Sequence, residues 1–359
     1  MNVYGRSRAM ILVLVACASF ACGENTRDTN STNNTKTNPT VPSDAGSNNS
    51  LDSSPEMDAG QVQDAGQTQD AAVAQDASTS TGDVVEFLDL AYTPPPGVQS
   101  SLATLDIFRT DDGQTRPLVL LVHGGSWVGG DKEGYRSRIA PWFVNRGYVA
   151  APVNFRLATT PRQTPEVKPQ DQARDIAAAL AWLMTNAEQY QIETENVLLV
   201  GYSSGAHLVA LLATDERYLQ NAGLDENLVT ASISLDVHVY DVPFALEKMV
   251  GSVREDKIPV IRHLFGQSEM QQLDGSPSNY LDGWAARQLI ISVDQDPNME
   301  GSYGYLVSQT GQRYVNALKQ AGHQAIHVHD VTENHASLTT GFGAPGDVAT
   351  QAIADFLAE

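Results

Sequence analysis

Gly201-Tyr202-Ser203-Ser204-Gly205 stands between an apolar run at 197–200 and an alanine- and leucine-rich stretch at 207–213. The order is strand, tight turn, helix. Two glycines remove the Cβ atoms that would collide where a chain doubles back around a serine. Such a turn lifts Ser203 Oγ above the end of a sheet as a nucleophile. A bare string of this type is also compatible with a serine that only caps a helix, so its surroundings decide. Earlier in the chain, the apolar run 117–122 leads directly into His123-Gly124-Gly125-Ser126-Trp127. Adjacent glycines let backbone N–H groups face a cavity without obstruction, as a developing oxyanion requires. The expected oxyanion donors are the N–H groups of Gly124, Gly125 and Ser204. The loop has no Gly-Lys-Ser/Thr ending, so it is not read as a phosphate cradle.

A serine at neutral pH needs a base, and the base needs a group to orient it. Of eight histidines, His123 belongs to the glycine loop, His207 to the helix after the serine, and His327 and His329 to one face of a strand. His335, in the polar turn 332–338, stands where a loop can carry an imidazole over Ser203. His327 and His329 have no evident third ligand, so no metal is expected, and the chemistry needs no cofactor. Asp294 and Asp296 end the strand-like run 288–293 and are the carboxylates expected to reach the imidazole. Asp241 and Asp330 read as surface or loop acids.

The elements that must position these groups follow from the apolar pattern. Strand-like runs at 117–122, 148–153, 196–201, 230–236, 288–293 and 324–329 alternate with helical runs at 175–184, 207–213, 314–322 and 347–358. Alternation of this kind specifies an α/β domain, a mostly parallel sheet with helices on both faces. Ligands of such sheets collect beyond the carboxyl ends of the strands. The stretch 238–286, rich in Met, Phe, Leu, Tyr and Trp, reads as a lid-like insertion over the mouth of the site. Trp127 and Tyr202, beside the two catalytic loops, are the expected substrate-binding aromatics.

A His-Gly-Gly loop after an early strand, followed by G-x-S-x-G between strand and helix, resembles the α/β-hydrolase superfamily. It is most similar to the branch of carboxylesterases, kynurenine formamidase-like arylformamidases and bacterial feruloyl-esterase-like enzymes. Segments 105–109, 130–135, 151–158, 175–183, 201–211 and 276–281 fall in the order that this branch uses. The resemblance implies the α/β-hydrolase fold and a triad in the chain order serine, acid, histidine. The branch carries its histidine at the spot of His335 and its acid immediately before a proline, which selects Asp296 over Asp294. This chain departs from the pattern by having Ser292-Val293 where those families have His-Gly. The implied activity is hydrolysis of carboxylic esters of short acyl groups through an acyl-enzyme. An arylformamidase, or an esterase of polysaccharide-linked acyl or feruloyl groups, would use the same residues. A non-catalytic binding module on the same fold is the reading of another class.

The N-terminal quarter has a different character. Arg6 and Arg8 precede an apolar run at 9–16 that is too short to span a bilayer, and the string "LVAC" ends at Cys17. The string resembles the lipobox of bacterial lipoproteins, which implies cleavage after residue 16 and lipidation of Cys17; Cys22 is the alternative. From 17 to 83 the composition is Asn, Ser, Thr, Gln, Asp and Ala, which cannot bury enough apolar surface to fold and reads as a disordered acidic tether. A catalytic domain is expected over 84–359. The formal net charge of −21, with no basic run, argues against nucleic acid or anionic lipid as a partner. The expected partner is a small-molecule or polysaccharide-linked ester, with membrane contact only through the lipid anchor. The expected location is the bacterial cell envelope, lipid-anchored, otherwise periplasmic or secreted.

Overall fold

The computed structural model describes residues 82–97, 99–160, 166–293 and 299–359. The signal, Cys17, Cys22 and nearly all of the tether lie outside the described residues, as do Asp294 and Asp296.

One sheet organises the domain, with strands in the order β1-β2-β4-β3-β5-β6-β7-β8. The parallel strands are β3 (Arg116–Val122), β4 (Val149–Val153), β5 (Ile192–Tyr202), β6 (Val229–Leu235), β7 (Arg287–Val293) and β8 (Ala325–Asp330), the last forming one edge. They pair in parallel along the series β4-β3-β5-β6-β7-β8. Each of the six runs expected from the sequence forms one of them. At the other edge, β1 (Val84–Ala91) and β2 (Thr104–Thr110) add antiparallel pairs. Strand β1 was not among the expected elements, because its burial alternates with exposure and its sequence carries two acids.

Apolar alternation divides the core between the two faces of the sheet. Along β3, Leu118, Leu120 and Val122 join one buried cluster, whereas Val119 and Leu121 join the other. Side chains of period two must divide in this way. The first cluster is closed by the helices Pro169–Thr185 and Ser204–Leu212, through Ile176, Leu180, Leu208 and Leu211. The second is closed by Ile139–Val144 and Val348–Ala358, through Phe143, Ile353 and Phe356.

The insertion 238–286 forms the helices Val242–Met249, Ile258–Phe265 and Glu269–Asp274. Its apolar residues Val239, Tyr240, Val242, Met249, Leu264 and Phe265 are buried in the same cluster as the strands. Most of its bulk therefore serves the core. The turn at 250–254 packs on the start of the helix Tyr303–Gln320, with Val253 N–H donating to Gly301 O at 3.0 Å and Arg254 over the Tyr303 ring.

Candidate active site

Ser203 caps the carboxyl end of β5 in a conformation that few L-residues adopt, with φ 55° and ψ −123°. Two backbone approaches hold the turn. A Cβ on Gly201 would lie 2.2 Å from the Gly205 carbonyl oxygen, and one on Gly205 would lie 2.2 Å from that of Val122. Glycine is thus required at both positions by contact with backbone that cannot move aside. The Ser203 N–H donates to Leu235 O at 2.8 Å, which ties the turn to the end of the neighbouring strand β6.

His335 lies in the loop after β8, as expected. Its Nε2 is 3.1 Å from Ser203 Oγ. The loop is held by its own polar residues: Asn334 Oδ1 accepts the N–H groups of Ala336 and Ser337, and Asp330 Oδ1 accepts that of Thr332. The Tyr202 hydroxyl donates to the His335 carbonyl at 2.6 Å, and the two rings lie 4.8 Å apart. Burial, with the Asp236 charge second, pushes the Tyr202 hydroxyl up to about 12, so it stays a donor.

The carboxylate on the imidazole is one that the sequence reading missed. Asp236, the residue after β6, places Oδ2 2.5 Å from His335 Nδ1. Its Oδ1 accepts the Val293 N–H at 2.9 Å, its own N–H donates to Ile291 O at 2.8 Å, and its side chain is fully buried. A signal was present: "ISLD" is an apolar strand ending in an acid, on the strand that follows the serine elbow. The expectation of Asp296, with Asp294 second, rested on the same logic applied one strand later. Neither of those residues is described, whereas Asp236 is seen in contact with the base.

The glycine loop packs directly on the elbow. A Cβ on Gly124 would meet Ser203 Cβ at 2.9 Å. Gly125, Ser126 and Trp127 have φ of 128°, 54° and 66°, a run of left-handed residues that stores strain. Trp127 anchors that run. Its carbonyl accepts from Ala158 N at 2.8 Å and Gln172 Nε2 at 2.6 Å, and its Nε1–H donates to His207 Nδ1 at 3.3 Å. The indole is 5% exposed and edge-on to His207 and Phe265. Trp127 therefore differs from its expected role as a substrate-facing aromatic: the left-handed backbone turns its ring inward. Burial pushes His207 down to about 4, so its neutral ring accepts from Trp127 while Nε2 donates to Gly275 O at 2.8 Å. His123 stacks on Phe155 at 4.3 Å and bonds the Gly124 carbonyl through Nδ1.

Beyond the loop, Lys132 is fully enclosed. Its ammonium bridges Asp106 at 2.8 Å and Asp89 at 2.5 Å, and Arg136 bonds the same two acids. Asp89 sits at the β-bulge of β1 with φ 54°, and its N–H donates to Asp106. The cluster fastens the segment after the glycine loop to the antiparallel edge.

Among the described residues no group of three or more His, Cys, Asp or Glu side chains is arranged to hold a metal ion. His327 is satisfied by Ser292 Oγ at 2.9 Å and Gln312 Oε1 at 3.0 Å, and His329 contacts Ser308 Oγ. No helix of the described residues is long and apolar enough to cross a membrane.

Comparison with known proteins agrees with this architecture. The chain is 23% identical over 272 residues to esterase LipQ and 25% identical over 265 residues to the probable carboxylic ester hydrolase LipM, both of Mycobacterium tuberculosis. The matches cover 73% and 71% of this chain but only 60% and 58% of those relatives, so it spans well under two thirds of their length. Among solved structures, esterase B of Lactobacillus rhamnosis aligns with a TM-score of 0.59 at 18% identity, over 77% of this chain and 84% of that one. A Pyrobaculum calidifontis esterase aligns at 0.56 and 20% identity, over 77% and 85%. The shared fold is that of the α/β-hydrolases. The family model described as BD-FAE matches residues 105–307, more than half of the chain and inclusive of the elbow, the glycine loop and Asp236, and the chain belongs to that family.

Proposed function

We propose that the chain is a serine hydrolase of carboxylic esters, with Ser203 as nucleophile, His335 as general base and acid, and Asp236 as the group that orients it. The observation that carries this reading is the continuous contact from Ser203 Oγ through His335 to Asp236 at 3.1 and 2.5 Å. It also weighs against a binding module without catalysis, for which no such alignment is needed.

In this mechanism, His335 Nε2 takes the Ser203 proton as Oγ attacks the ester carbonyl, and Asp236 holds the proton on Nδ1 and stabilises the imidazolium. The carbonyl oxygen becomes an oxyanion facing the N–H groups of Gly124, Gly125 and Ser204. Ser204 is the first residue of its helix, so its N–H has no acceptor within the helix and lies at the positive end of the dipole. The Gly124 carbonyl is held by His123 Nδ1 at 2.8 Å, which fixes the peptide plane whose N–H belongs to Gly125. Collapse breaks the ester C–O bond, and Nε2 returns the proton to the leaving alcohol. Water, deprotonated by the same nitrogen, then releases the acid from Ser203. Tyr202 and Tyr303, whose rings lie 4.8 and 5.3 Å from that of His335, wall the site and favour short acyl groups.

The same reading keeps the residues before 84 as a tether, with Cys17 as the lipid-bearing residue that holds the domain at the cell envelope. The esterase reading is tested with a fluorophosphonate and p-nitrophenyl esters of graded acyl length. Ser203→Ala should abolish both labelling and hydrolysis without unfolding the protein. Undiminished hydrolysis by that variant would sink the proposal.

A further inference from the structure

Next to the triad, on the side of the 238–286 insertion, stand polar groups that the mechanism above does not use. His238 follows Asp236 by two residues and is 8% exposed, yet neither ring nitrogen has a partner among the described residues. Arg254, in the turn at 250–254, lays its guanidinium 4.3 Å over the Tyr303 ring, and its Nε is also buried and unpaired. The acids beside it are committed elsewhere: Glu255 accepts the Gly251 N–H, and Asp256 pairs with Lys257 at 2.6 Å. Among the described residues Arg254 has no carboxylate partner. Tyr303 links the groups, its ring 5.7 Å from His238 and its hydroxyl 3.5 Å from His335 Nδ1.

Buried polar atoms without partners are few in native proteins, and each calls for an explanation. A neutral imidazole offers one donor and one acceptor, and a guanidinium offers donors only. Burial, and after it the charge of Arg254, pushes His238 down to about 3, so the imidazole is neutral. The ligand suited to this pair brings oxygen acceptors, and the planar fork of arginine is matched best by a carboxylate. In a chain of net charge −21, Arg254 forms no ion pair among the described residues, its charge reaching His238, Tyr303 and Asp256, and it stands across the Tyr303 ring from His335, where an anionic group gains.

We propose, on the basis of the esterase reading, that His238 and Arg254 form a subsite for a free carboxylate on the substrate, so that the preferred substrates are acidic esters. Two pairs matched in shape read this out by pH-stat titration: monoethyl succinate against ethyl 4-methylpentanoate for a carboxylate on the acyl side, and 4-acetoxybutanoate against 4-methylpentyl acetate for one on the alcohol side. The wild-type protein should favour the acidic member of at least one pair by roughly tenfold or more in kcat/KM, and the preference should shrink as salt is added. Arg254→Gln should reduce that acidic-to-neutral ratio about tenfold, mainly through KM, and His238→Phe should reduce it as well. Arg254→Lys, which keeps the charge but loses the fork, should retain part of it. A ratio below unity for both pairs in wild type, or one that Arg254→Gln leaves unchanged, overturns the subsite. Those results leave Ser203 labelling and neutral-ester turnover intact, whereas failure of the esterase reading removes both.

Discussion

Replacing Asp236 by asparagine keeps the shape of the side chain and removes its charge. In the site, one carboxylate oxygen accepts the Val293 N–H at 2.9 Å and the other meets His335 Nδ1 at 2.5 Å. Both neighbours are donors, but an amide brings one acceptor oxygen and one donor NH2. With the NH2 turned to Val293, two donors oppose each other in a fully buried place, an arrangement that costs about 1–3 kcal/mol. The amide therefore turns its NH2 to His335. Nδ1 must then carry the lone pair, and the proton moves to Nε2. Nε2, 3.1 Å from Ser203 Oγ, now faces the hydroxyl as a donor and cannot take its proton. The same tautomer trap in a serine protease lowers kcat about 10⁴-fold, or about 5 kcal/mol. Turnover of p-nitrophenyl acetate and the rate of fluorophosphonate labelling should both fall on that order in Asp236→Asn. Thermal unfolding followed by circular dichroism should remain cooperative. Asp294→Asn and Asp296→Asn should each stay within about tenfold of wild type, a loss under about 1.4 kcal/mol. An Asp236→Asn protein that turns over like wild type, beside an Asp296→Asn protein that has collapsed, would refute the reasoning.

Acid should destabilise the protein through His207. Its folded value is depressed to about 4, so between the unfolded value near ~6.5 and that point the unfolded chain binds the extra proton. Stability is therefore present at neutral pH and lost as pH falls through this window, by up to about 3 kcal/mol from this residue. Urea midpoints measured from pH 7 to 4 should fall less steeply in His207→Gln than in wild type, and parallel curves would exclude the effect. For the anchor, metabolic labelling with a palmitate analogue should mark the wild-type protein and fail in Cys17→Ala; labelling that persists would move the lipid to Cys22.

The legible part of this protein is the part fixed by local chain geometry. Gly201 and Gly205 announce the elbow because no other residue tolerates a 2.2 Å approach to backbone at those positions. Strands β3, β4, β5 and β7 are legible because each carries an apolar run buried on both faces. His335 is legible as a polar-loop histidine after the last strand. The orienting acid was harder because it depends on which strand end faces the imidazole, a relation between β6, β7 and the β8 loop that no single segment encodes. Trp127 was misread for a related reason: sequence places it beside the loop, but the left-handed run at 125–127 turns its ring inward. His238 and Arg254 carry no motif at all and become noticeable only once their neighbours are known to leave them unpartnered.

The Lys132 cluster decides where this chain can be cut. Asp89 belongs to the first strand of the domain, far in sequence from the catalytic loops, yet it is one of the two acids that bond the enclosed Lys132 ammonium. Removal of the chain up to residue 83 leaves the cluster whole. Removal of β1 as well would leave Asp106 to serve both Lys132 and Arg136, directly after the segment that carries Gly124 and Gly125. A fusion, a shuffled domain or an expression boundary that begins at the first recognisable motif would omit this hairpin edge, and with it a fastening of the loop on which the reaction depends.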